Sequence, residues 1–202
     1  SISTSPVASN GSRNPADRPM ALAMKDSRVY MPGAFHITAS CFKDAETIAE
    51  AFKTGAGVGW DRHDHNLFCG TERFFRPSYV ASITSSWIPA LDGVEEKLEQ
   101  GARVADIGCG HGASTVLMAK AYPNSRFFGF DYHEGSIEAA RRAAETAGVT
   151  DRVTFEVARS KSFPGTNYDL VAIFDALHDM GDPAGAAEHV YRTLAEDGTW
   201  MI

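Results

Sequence analysis

Val104-Ala-Asp-Ile-Gly-Cys-Gly-His-Gly112 leaves few options for the backbone around it. A short apolar strand, Arg103 to Ile107, runs into a glycine turn, Gly108 to Gly112, and then into a helical stretch, Ala113 to Tyr122, stopped by Pro123. The unit repeats. Arg126 to Phe130 reads as a second strand, and Glu134 to Ala147 as a helix with Ile137, Ala140, Ala144 and Ala147 on one face and Gly148 at its end. Val153 to Val157 and Tyr168 to Phe174 follow as strands. Pro183 to Ala195 is then a helix capped by Asp182, with Ala187, Val190, Tyr191 and Leu194 inward, and a fifth strand opens at Thr199 after the Asp197-Gly198 turn. Buried strands alternating with helices predict a parallel sheet covered on both faces, an α/β, Rossmann-like, doubly wound and mostly parallel fold.

The first hundred residues follow another pattern. Residues 1–20 are rich in Ser, Pro, Asn and Gly without periodicity and read as a flexible lead-in; residues 21–100 read as a mainly helical lid or linker; residues 101–202 hold the α/β domain. Asp44 is placed to cap a helix from Ala45 to Lys53 that the glycines at 55, 57 and 59 end. Further helices are expected over Ser78 to Ile88 and Val94 to Gln100. The chain starts without Met and stops in an apolar run, so the sheet is expected to be truncated before its last strands, with an open edge prone to association.

A net charge of −7 denies this part the positive field that drives nucleic-acid binding, so no direct contact of that kind is expected from it. Cys41, Cys69 and Cys109 stand far apart, which suggests neither a disulfide framework nor a cysteine zinc site, and points to the reducing cytoplasm. No apolar run has the length of a membrane span.

The glycine turn suits a nucleotide, because it lets a ligand approach N–H groups at a helix N-terminus. Gly108, Gly110 and Ala113 also meet the dinucleotide pattern, so a nicotinamide ligand competes with S-adenosylmethionine. Asp106 separates the two. A carboxylate two residues before the first glycine repels a pyrophosphate and attracts the ammonium and sulfonium of S-adenosylmethionine. Asp131, ending the second strand, is placed to accept from ribose hydroxyls in either case.

Together with Phe130-Asp131, Tyr168-Asp-Leu-Val-Ala-Ile-Phe174 and Leu194-Ala-Glu-Asp-Gly198, the glycine motif resembles the successive motifs of class I S-adenosylmethionine-dependent methyltransferases. The resemblance covers Ala102 to Ile202. It implies that Gly108 and Gly110 lie along the methionine part, that Asp106 serves its amino group, that Asp131 holds the ribose and that Tyr132 packs on adenine. The cofactor-binding set expected is Asp106, Gly108, Cys109, Gly110, Asp131, Tyr132, Ser160 and Asp175. Ala158-Arg-Ser-Lys-Ser-Phe163 departs from the pattern, since many members carry an acid there for the adenine amino group; Ser160 or Ser162 could accept instead, and Arg159 and Lys161 read as a solvated rim.

Leu177-His-Asp-Met-Gly-Asp182 is similar to the Leu-His-Asp-Trp-Ser-Asp run of hydroxyl-directed small-molecule methyltransferases. This implies His178 as general base, oriented by Asp179 or Asp175. Trp60, Phe68, Phe74, Phe75 and Tyr79 read as aromatic lining or packing of the lid. His63 and His65, two apart, would share one face of a strand but lack a third ligand, so no metal is expected. The expected activity is O-methylation of a small molecule, with homodimerisation of the longer protein left open. The alternative is a non-catalytic S-adenosylmethionine-sensing regulator whose DNA-binding domain lies outside this chain.

Overall fold

Alternate residues of β1 (Arg103–Ile107) point to opposite faces of a sheet, and all but Arg103 are buried, so both faces must be covered. In the computed structural model, which describes residues 22–24, 27 and 30–202, they are. Val104 joins Ile83, Ile88, Leu98, Met118, Phe127 and Leu170 on one side; Ala105 and Ile107 join Phe130, Phe163, Tyr168, Val171, Ile173 and Val190 on the other. The lead-in read over residues 1–20 lies outside the described residues.

Helices precede the sheet: α1 (Pro32–Lys43), α2 (Ala45–Thr54), α3 (His65–Ser82) and α4 (Val94–Gln100). After β1 come α5 (Ala113–Ala121), β2 (Arg126–Asp131), α6 (Glu134–Ala147), β3 (Val153–Val157), β4 (Tyr168–Ala172), α7 (Pro183–Thr193) and β5 (Leu194–Met201). The five strands pair in parallel in the order β3-β2-β1-β4-β5. Strand order reverses between β1 and β4. That switch point opens a crevice at the carboxyl ends of the strands, where open α/β sheets bind ligands.

Several sequence expectations are corrected. The helix expected over Ser78 to Ile88 is instead the end of α3, which starts at His65, carries Pro77 buried inside it and passes into a π-helical turn, Ile83–Trp87. Close packing against α1 holds α3 in place: a Cβ on Gly33 would stand 2.5 Å from the Gly70 carbonyl oxygen. Asp44 makes no side-chain cap; its buried carboxylate accepts from the Asp64 N–H at 3.1 Å and faces His63 Nδ1 at 2.9 Å, which ties α2 to the start of α3. His63 and His65 therefore share no strand. His65 opens α3 and meets the Cys69 thiol at 3.1 Å. In α7 the inward residues are Ala186, Val190 and Thr193, whereas Tyr191 is 81% exposed. β5 begins at Leu194 rather than Thr199, and its register against β4 slips between Tyr168 and Leu170, leaving Asp197 free to pair with Lys97 at 2.7 Å.

Candidate active site

The glycine turn lies between β1 and α5 and takes left-handed backbone at Gly108, Gly110 and Gly112. A Cβ at Gly112 would fall 2.6 Å from the Phe155 ring and 2.9 Å from Ala140, so this position also lets the turn close on β3 and α6. Most of the turn's N–H groups are consumed within the fold. Gly108 and Cys109 donate to the Phe130 carbonyl at 2.7 and 3.1 Å, Gly110 donates to Asp131 Oδ2 at 3.0 Å, and Gly112 donates to the Cys109 carbonyl at 2.9 Å.

Asp106 takes the place at the α5 N-terminus that an anionic ligand would want. Its Oδ2 accepts from the Ser114 and Thr115 hydroxyls, each at 2.6 Å, while Oδ1 has no partner. The residue is 1% exposed. Burial raises its carboxyl to about 6, with the two hydroxyls pulling the other way. Asp106 itself does not line the adjoining cleft; its neighbours Ile107 and Gly108 and its partner Ser114 do, so the carboxylate with its unpaired oxygen lies just behind the cleft wall.

That cleft has a volume of about 890 Å³, and α3, the 56–61 segment, the glycine turn and the loops after β2, β3 and β4 line it. Among the expected residues, Gly108, Cys109, Gly110, Asp131, Tyr132, Ser160, Asp175 and Asp179 reach the lining. Asp131 accepts from the Gly110 and His133 N–H groups at 3.0 and 2.9 Å, and burial is the main cause that lifts its carboxyl above the ordinary value. Each oxygen retains capacity for a further hydrogen bond. Burial also pushes the Cys109 thiol up, so it stays protonated and unreactive. Asp175 has left-handed backbone at φ 52°, a conformation Asp tolerates better than most residues and one that clusters at functional sites.

His178 does not line the cleft. It occupies the 3₁₀ turn Leu177–Asp179 with a side chain 64% exposed, 3.5 Å from the Asp179 carboxylate, which does face the cleft. Cleft residues that the sequence did not single out include Glu72 on α3 and His111 in the turn; burial is the largest influence on His111 and lowers its pKa. Of the expected lid aromatics, Trp60, Phe68, Phe75 and Tyr79 line the cleft. Phe68 stacks on His133 at 4.6 Å.

Tyr132 has a second contact. Its hydroxyl accepts from the Asp61 N–H at 3.2 Å, fastening the segment after the glycines at 55, 57 and 59 across the cleft mouth. Tyr132→Phe is expected to speed limited proteolysis within residues 54–62 by about three- to tenfold, as the loss of one hydrogen bond worth ~0.5–1.5 kcal/mol requires. Unchanged cleavage would show that the contact does not hold the segment. Among the described residues, no three His, Cys, Asp or Glu side chains converge to hold a metal, and no helix is long and apolar enough to cross a membrane.

Comparison with known proteins agrees with this geometry. The methyltransferase-domain family matches residues 98–202, just over half of the chain. The 27-O-demethylrifamycin SV methyltransferase of Amycolatopsis mediterranei (strain S699) is 34% identical over 103 residues, covering 50% of this chain and 38% of that protein. The 2-methyl-6-phytyl-1,4-hydroquinone methyltransferase of Synechocystis sp. (strain ATCC 27184 / PCC 6803 / Kazusa) is 26% identical over 179 residues, 84% of this chain and 54% of its own. The chain therefore spans between about a third and a half of the length of these relatives. A crystal structure of a SAM-dependent methyltransferase from Thiobacillus denitrificans in complex with S-adenosyl-L-homocysteine superposes with a TM-score of 0.50 at 26% identity, covering 62% of this chain and 47% of that one. Strand order, glycine turn, buried acid and matched family converge: this chain belongs to the class I S-adenosylmethionine-dependent methyltransferases.

Proposed function

We propose that the protein transfers the methyl group of S-adenosylmethionine to an oxygen of a small-molecule acceptor. The observation that carries this reading is the buried Asp106 carboxylate at the α5 N-terminus, with Oδ1 unpaired. A pyrophosphate at that helix end would face this carboxylate at close range, whereas the ammonium of S-adenosylmethionine supplies the missing cation. Asp131 serves the ribose hydroxyls, Tyr132 and Ser160 the adenine end, and Cys109 and Gly110 the strip between them.

S-adenosylmethionine brings an activated methyl group on a sulfonium, and the chain's own residues have to align the acceptor and remove its proton. The acids at the β4 edge, Asp175 and Asp179, face the cleft, and His178 is the general base carried by the same turn. Catalytic contacts commonly tighten only when substrate is bound, and a short 3₁₀ turn with no side-chain cap is suited to that adjustment. The relatives named above support a small-molecule acceptor.

Calorimetry of the protein with S-adenosylhomocysteine and with NAD, paired with labelled methyl transfer to a panel of small acceptors, tests the reading. S-adenosylhomocysteine is expected to bind more tightly and label to reach an acceptor. Tighter NAD binding would overturn it. Binding of S-adenosylhomocysteine with no transfer to any acceptor would instead make the protein a sensor.

A further inference from the structure

One part of the cleft has an aromatic wall. Phe75 and Tyr79 stand one turn apart on α3, both lining it, with rings 6.1 Å apart and inclined by only 20°. Phe174, just past β4, approaches Tyr79 at 5.5 Å; Trp87 stacks on Phe174 at 6.1 Å and meets Tyr79 edge-on at 6.1 Å. Trp87 lies outside the lining and supports the wall from behind. A planar π system gains offset stacking against such rings beyond what its buried area provides, and a saturated ring of the same size does not.

The polar groups of this recess are selective too. Among the described residues the Tyr79 hydroxyl has no hydrogen-bond partner; burial, then the charges of Asp106 and Asp175, push its pKa up, so it remains a donor. Asp175 is acidic, and Glu72, one turn before Phe75 and 3.5 Å from Arg76, adds a partly compensated second charge; together they disfavour a carboxylate ligand. The cleft's cations, Arg159 and Lys161, belong to the segment after β3, and Lys161 is held by Asp182 at 2.9 Å.

Resting on the methyl-transfer reading above, we propose that the acceptor is a neutral, planar aromatic compound with a free hydroxyl, stacked against the wall of Phe75, Tyr79 and Phe174, and that Tyr79 selects it by donating its hydroxyl hydrogen to the acceptor oxygen. The acceptor oxygen gives its proton to His178 at the β4 edge and a lone pair to the methyl carbon, while the carbon–sulfur bond breaks with its electron pair left on sulfur. Oxygen keeps a second lone pair for Tyr79 throughout. An aromatic amine has one lone pair and cannot both attack and accept, so the hydroxyl of Tyr79 discriminates oxygen from nitrogen.

The test uses the full chain with labelled methyl donor and four matched probes, catechol, aniline, benzoate and cyclohexanol. In parallel, catechol is titrated calorimetrically into wild type, Tyr79→Phe and Phe75→Leu saturated with S-adenosylhomocysteine. Catechol is expected to exceed the other three in kcat/KM by about tenfold or more. Tyr79→Phe is expected to lower catechol kcat/KM by about tenfold, mainly through kcat, with S-adenosylhomocysteine affinity and the aniline rate unchanged. Phe75→Leu is expected to weaken catechol binding about fivefold. Equal use of cyclohexanol or benzoate, or a catechol-to-aniline ratio that Tyr79→Phe leaves unchanged, overturns the proposal. Failure of the wild type to bind S-adenosylhomocysteine overturns the methyl-transfer reading itself, and this inference with it.

Discussion

Asp106→Asn is expected to weaken S-adenosylhomocysteine binding about 10²-fold while leaving the unliganded protein at least as stable as wild type. The two effects share one cause. Asn keeps the shape and can still accept from Ser114 and Thr115, which hold Oδ2 at 2.6 Å, but it removes a charge that is 1% exposed and has an unpaired oxygen. Losing one member of a buried charge pair costs ~2–5 kcal/mol of binding, and each ~1.4 kcal/mol is tenfold. Stability moves the other way. Burial raises the folded-state carboxyl from 3.8 to about 6, so between those values the native protein binds more protons than the unfolded chain. Stability contributed by this group therefore falls as pH rises through that window, and the cost, on the order of 2–3 kcal/mol, is fully present above about 6. The Asn variant should gain on wild type in unfolding midpoint from pH 4 to pH 7. An ammonium above Asp106 keeps the carboxylate ionised, so wild-type affinity should decline below about pH 6 and the variant's should not. Calorimetric titrations at pH 5 and pH 8 check both; an unchanged dissociation constant at pH 8 would refute the role given to Asp106.

Asp106, next to last in β1, and Asp131, last in β2, are legible because each strand and the turn that follows it are contiguous in sequence. The glycine turn, the helix over Glu134–Ala147 and the alternation of strands are local patterns, and the parallel order follows from them with little freedom left. Residues brought in from a distance were not legible. Glu72 reaches the cleft because α3 starts at His65, well ahead of the helix expected from Ser78, and close contact with α1 at Gly33 and Gly70 holds that earlier stretch in place. Once α3 starts at His65, its period explains why Phe75 and Tyr79 face the cleft and Phe74 does not. The partnership of Asp44 with His63 spans 19 residues and a turn that composition does not announce. The glycines at 55 and 57 read as a helix stop, which they are, but their place at the cleft mouth depends on Tyr132 from the other half of the chain. Nor does spacing fix which way a side chain points in a three-residue 3₁₀ turn, so the sequence puts His178 after β4 without giving its direction.

His178→Gln is expected to lower the maximal rate of methyl transfer by ~10² to 10⁴ while S-adenosylhomocysteine affinity stays within about twofold. Gln can occupy the same space and form hydrogen bonds, but it cannot carry away a proton. His178 shares its turn with Asp179, 3.5 Å away, so a change in the His178 side-chain torsions alone brings the imidazole toward an acceptor while Leu177 stays packed on the core. Because His178 is 64% exposed, the substitution should leave the unfolding midpoint unchanged, which separates chemistry from folding. Asp179→Asn should then reduce the rate less than His178→Gln, as an orienting partner does. The competing assignment gives the proton directly to Asp175 or Asp179, whose carboxylates already face the cleft. Under it, Asp175→Asn or Asp179→Asn would show the larger loss and His178→Gln would turn over at nearly the wild-type rate. The ratio of these three maximal rates, measured with one acceptor at saturating methyl donor, decides which group at the β4 edge takes the proton.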